Sequence, residues 1–191
     1  MLRRLPVLLL SALTLAANSG ADEHLFAGAR HFREGRFAEA LVEFRVADKL
    51  NAGGEAAWYS AASLVRLNRP EDAIVAFTEA ERRAPAMRDE LFDYYRAVAC
   101  HEARLYLCAD RLLAGIGDRA GPRIRDEALQ LRRRIEPVLR GEPAKTAIDW
   151  YYQRAQQSSA RPLLAAAYLA EGRALAERRA DRYRASEASA R

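Results

Sequence analysis

Small and aromatic residues return along this chain at a fixed interval: Gly28, Ala40, Phe44 and Ala47 are answered 33 residues later by Ala61, Ala73, Phe77 and Ala80. An echo of this length constrains the fold more than any composition does. Each copy is one supersecondary unit that cannot bury its apolar face alone, so neighbouring copies must stack to make a core. A third copy follows 36 residues on, with Ala97, Ala109 and Leu113 in the small, small and large places. Ile116 stands there where Ala47 and Ala80 stood, so this copy is degenerate but in phase.

Each copy reads as two antiparallel helices joined by a tight turn. In the first, a helix from about Asp22 to Glu34 meets Gly35, which can adopt the left-handed conformation that ends a helix, and a second helix runs from about Phe37 to Leu50. In the second, Ala57 to Leu67 is followed by Asn68-Arg69-Pro70, with Pro70 opening the next helix where its missing N–H is no loss. The small pairs Gly28/Ala40, Ala61/Ala73 and Ala97/Ala109 belong where paired helices cross, and Phe44, Phe77 and Leu113 fill the space toward the next copy. Alanine and arginine dominate while Val, Ile, Thr and Asn are sparse, a usage that favours helix throughout.

The run Gly28, Gly35, Phe37, Ala40, Phe44, Ala47 resembles the tetratricopeptide (TPR) signature, lacking its final proline. The second copy resembles it from Ala61 through Pro70, Ala73, Phe77 and Ala80 to Pro85; the third keeps mainly Ala97, Tyr106 and Ala109. The resemblance covers roughly residues 24 to 116. It implies an all-α fold: antiparallel helix-hairpin repeats stacked as a short right-handed TPR superhelix, with extra C-terminal helices. It also implies a non-catalytic protein–protein interaction scaffold that binds a partner protein or peptide in a concave groove lined by the first helix of each repeat. The groove positions would be Phe32 and Arg33, then Trp58, Ala62 and Arg66, then Tyr94, Val98 and His101. Aromatic and arginine anchors are what interfaces favour. The Lys/Asn set with which some TPR proteins clamp a terminal carboxylate is missing.

Met1-Leu2-Arg3-Arg4, the apolar stretch Leu5 to Ala17 and a small-residue exit read as a signal peptide over residues 1–21, cleaved after Ala21. The apolar stretch is well short of the ~20 residues needed to span a bilayer. An uncleaved amphipathic first helix is the alternative. Export across the inner membrane into a bacterial periplasm is the expected destination, and no cysteine follows the apolar stretch to carry a lipid anchor. Residues 22–118 then form the array of about three repeats, 119–184 form capping helices or a worn fourth repeat, and 185–191 form a disordered tail.

Within the rear half, a helix from about Pro122 to Arg140 places Ala128, Leu131, Ile135, Val138 and Leu139 on one side, leaving Arg132-Arg133-Arg134 to solvent. A helix rich in aromatics begins near Asp149, and Pro162 restarts the chain as a helix carrying Ala166, Ala167 and Ala170. Residues 22–110 hold 12 basic and 16 acidic side chains, whereas 111–191 hold 17 and 10. A second functional reading follows from that asymmetry: the basic C-terminal half docks on anionic lipid or an envelope polymer.

No catalytic motif is found. His24, His31 and His101 fall in no zinc-binding spacing, and Gly115-x-Gly117-x-x-x-Gly121 lacks the Lys-Ser/Thr ending of a phosphate loop. No cofactor, metal or nucleic-acid partner is expected. Cys100 and Cys108 read equally well as an intrachain disulfide or as two buried thiols. A bridge there would add about 2.5 kcal/mol by loop closure. Packed helix axes lie about 8–10 Å apart, however, and bridged α-carbons must come within about 7 Å.

Overall fold

The computed structural model describes residues 7–50, 53–117 and 120–189, with side chains from residue 20 onward. Among the described residues there are nine α-helices and no strand: α1 (Val7–Arg33), α2 (Phe37–Lys49), α3 (Gly53–Arg66), α4 (Pro70–Arg83), α5 (Glu90–Glu102), α6 (Tyr106–Ala114), α7 (Pro122–Arg140), α8 (Lys145–Gln157) and α9 (Pro162–Ser189), with a 3₁₀ turn at Pro85–Met87. No helix among them is long and apolar enough to cross a membrane. The chain divides into two compact units, Met1–Arg88 and Asp89–Arg191.

The first unit holds the first two hairpins. Ala40, Phe44, Ala47, Ala61, Ala73, Phe77 and Ala80 are all 0% exposed, so the 33-residue echo falls on equivalent core positions. At Gly28 the need for a small residue is steric, since an added Cβ would lie 2.7 Å from the Phe44 ring. Phe44 stacks on Tyr59 of α3 at 5.2 Å, which carries the first hairpin onto the second. A two-pronged ion pair from Arg83 to Asp48, at 3.0 and 2.7 Å, joins α4 to α2 at the surface. Such an exposed pair contributes at most about 1 kcal/mol, so apolar burial holds the stack.

Three hairpin turns share one backbone pattern. Gly35, Asn68 and Arg104 have φ of 76°, 55° and 63°, and they stand at the repeat offsets. Each donates its N–H three residues back, to Phe32, Val65 and His101 at 3.2, 3.0 and 2.9 Å. The following residues, Arg36, Arg69 and Leu105, donate five residues back, to His31, Leu64 and Cys100, at 2.9, 3.0 and 2.7 Å. These paired bonds satisfy carbonyls that a helix end would otherwise leave open.

The second unit contains the third hairpin, α5–α6, with α7 packed on both its helices, and the α8–α9 hairpin. Ala97 and Ala109 are 0% exposed and Leu113 is 4% exposed, in step with the first two copies. The division of the chain therefore falls before the third hairpin; the boundary expected at residues 118 and 119 lies outside the described residues. Helices α8 and α9 approach closely at Gly172, where a Cβ would come 3.0 Å from Tyr151 Cβ, while Ala166 and Ala170 are exposed. The α8–α9 turn contains no left-handed residue and so differs from the other three. On α7, Ala128, Leu131 and Ile135 face the core, but Val138 is 55% exposed.

At the front, α1 runs unbroken through Ala21, which is 1% exposed; residues 1–6 of the expected leader lie outside the described residues. At the rear, the expected tail is helical through Ser189 with exposed side chains, and residues 190–191 are outside the described residues.

Candidate functional site

In the first unit, the expected groove residues divide between surface and core. Phe32, near the end of α1, is half-buried and meets Phe37 edge-on at 5.3 Å and Tyr59 at 6.2 Å. Arg66, exposed at the end of α3, lays its guanidinium over Phe37 at 4.5 Å, a cation–π contact that keeps the arginine in place while its charge stays in solvent. Arg33 is exposed beside Phe32. The turn at Gly35 brings Phe37 back against the end of α1, and this is what lets one ring join Phe32 to Arg66.

Trp58 does not belong to this surface. It is 0% exposed, packs on Phe77 at 5.8 Å and donates its indole N–H to the Ala84 carbonyl at 3.1 Å. An indole with its polar edge satisfied inside the unit is a core residue. Ala62, at 1% exposure, is likewise interior. The next residue along the helix, Tyr59, takes the half-buried place that the groove reading gave to Trp58, a shift of about 100° around an α-helix.

In the second unit, Tyr94 and His101 are half-buried on α5. Burial first, and then its hydrogen bond to Glu127 of α7, push the Tyr94 phenol up to about 12, so it stays protonated and ties α5 to α7. His101 contacts Glu102 at 3.1 Å and meets Tyr106 edge-on at 5.9 Å. Both are thus engaged with their own hairpin or its neighbour while staying partly open to solvent.

The most elaborate polar constellation surrounds the α5–α6 turn. Cys100 and Cys108 form a disulfide, with α-carbons 6.0 Å apart. They sit at the two ends of the turn, where the chain has not yet diverged to full interhelical spacing, and this resolves the geometric objection. Tyr151 of α8 donates its hydroxyl hydrogen bond to the Arg104 carbonyl. Glu171 of α9 accepts from the N–H groups of Leu107 and Cys108 at 2.6 and 3.1 Å, capping an α6 that has no capping side chain of its own. Glu171 is only 4% exposed, and burial raises its carboxyl above the ordinary value even though the two N–H groups pull it down. Sequence reasoning missed Glu171. The available signal was a single carboxylate in the buried stripe Leu164, Tyr168, Glu171, Gly172.

Among the described residues no group of three His, Cys, Asp or Glu side chains is placed to hold a metal ion. Compared with protein-family models, with curated proteins and with solved structures, the chain matches none of them.

Proposed function

We infer that the chain is a non-catalytic scaffold of the TPR type that binds another polypeptide along the first helices of its hairpins. The observation that carries this reading is one backbone turn repeated at Gly35, Asn68 and Arg104, the mark of a repeated hairpin unit, together with the packing of α2 on α3 that stacks the two hairpins of the first unit. In the first unit that face offers Phe32, Arg33, Tyr59 and Arg66. Half-buried rings beside exposed guanidinium groups suit a segment carrying acidic and apolar side chains. The working compartment is the bacterial periplasm: the leader-like N-terminus directs export, and a Cys100–Cys108 bridge persists in an oxidising space.

A photo-crosslinking residue in place of Arg66, tested in the full chain in its native compartment, should trap a discrete polypeptide. Arg33→Glu should weaken that adduct, and the same probe at Val42, 60% exposed on α2, should trap nothing. Adducts at position 42 with none at 66 would assign binding to the opposite face.

A further inference from the structure

Within the second unit, α6, α7 and α9 enclose a cleft of about 790 Å³. Its wall carries Arg132, Arg133, Arg140, Arg178 and Arg182 against two carboxylates, Asp110 and Glu136. Leu107, Leu129 and Leu139 supply its apolar part. The sequence run Arg132-Arg133-Arg134 is thus divided: the first two face the cleft, while the third acts electrostatically on Tyr94.

The arginines are held rather than loose. Arg178 donates to the Leu139 carbonyl at 2.7 Å and Arg182 to the Arg140 carbonyl at 3.0 Å, so the open C-terminal end of α7 fixes both guanidinium groups by one of their nitrogens. Each retains further N–H groups for a ligand, since a guanidinium has five. Arg132 pairs with Asp110 at 2.8 Å and Arg140 with Glu136, both near the surface, where an incoming anion exchanges for a carboxylate at little cost. Arg133 has no partner among the described residues, and Leu129 is 48% exposed beside it.

We propose that this cleft binds a single-chain amphiphile with a phosphate head, the phosphate on Arg133, Arg178 and Arg182 and the apolar chain along Leu107, Leu129 and Leu139. Phosphate is favoured because its three oxygens and double charge match an excess of three guanidinium groups and accept from several planar forks at once. The apolar chain is required because leucines side by side with fixed arginines recognise neither a bare ion nor a neutral lipid alone, and the volume falls in the range of small-ligand pockets.

The test uses the full chain and titrates decyl phosphate below its micelle concentration, inorganic phosphate and decanol by calorimetry. Decyl phosphate should bind at least tenfold more tightly than either of the others. Arg133→Glu and Leu129→Asp, both at exposed positions, should each cost tenfold or more with an unchanged helical spectrum and melting temperature. Equal affinity for inorganic phosphate, equal affinity for decanol, absence of binding, or full affinity in both variants would each overturn the assignment.

Discussion

At Gly35, in the first unit, the left-handed turn is made by the residue itself: glycine takes φ of 76° without steric cost, and no atom lies near enough to obstruct a side chain there. At Arg104, in the second unit, the same turn is made by a residue that resists it. Its surroundings supply what the residue lacks. A disulfide closes the two helix ends, Tyr151 holds the Arg104 carbonyl, Glu171 caps α6, and the Arg104 guanidinium lies 5.9 Å from the Trp150 ring. The contrast teaches that a repeat keeps its geometry after its local signature wears away, provided distant residues replace that signature with bonds. It also accounts for the grouping of the third hairpin with α7, α8 and α9 rather than with the copies it resembles.

The largest expected effect tests the first unit's reliance on apolar packing. Trp58→Ala removes a fully buried indole and its hydrogen bond, and should cost about 3–5 kcal/mol in denaturant unfolding. A loss below about 1 kcal/mol would mean that Trp58 is not part of a packed core. Next, replacing Cys100 and Cys108 together by alanine should lower stability by about 2.5 kcal/mol through the lost loop constraint. An unchanged midpoint would leave Tyr151 and Glu171 as sufficient clamps. Smaller again is the exchange of turn residues. Gly35→Ala should destabilise by about 1 kcal/mol, whereas Arg104→Gly should be neutral or mildly stabilising. Equal losses from both would erase the distinction between the two turns.

The smallest effect is a pH dependence confined to the second unit. Burial raises the Glu171 carboxyl above its free value of 4.5, so between those two values the native state holds more protons than the unfolded chain. Stability from this group is therefore fully present below 4.5 and declines as pH rises through the higher native value. Glu171→Gln should flatten that part of the stability profile, and a slope unchanged by the substitution would assign it to other carboxyls.

Much of the hairpin framework was legible in the residues. The offset that links Phe44 to Phe77 named core positions correctly, because a buried small-and-aromatic pattern is set by helix crossing and survives in one chain. The surface was harder. Trp58 and Tyr59 are adjacent, and a repeat alignment cannot say which ring turns inward when both are aromatic; in the fold it is Trp58, packed on Phe77 and donating to the Ala84 carbonyl. Glu171 was invisible for another reason. It acts on backbone groups 63 and 64 residues away, and a backbone amide leaves no mark in the sequence. The arginine cleft joins three helices through residues that read singly as solvated charge.

Hydrogen exchange at the turn amides is the most direct test of the three-fold hairpin on which the scaffold rests. The N–H groups of Arg36, Arg69 and Leu105 should all be protected in the oxidised protein, and reduction of the disulfide should expose Leu105, Leu107 and Cys108 while leaving Arg36 and Arg69 unchanged. A Leu105 amide that exchanges as fast as an open chain before reduction would contradict the account, because the third copy would then not share the turn of the first two.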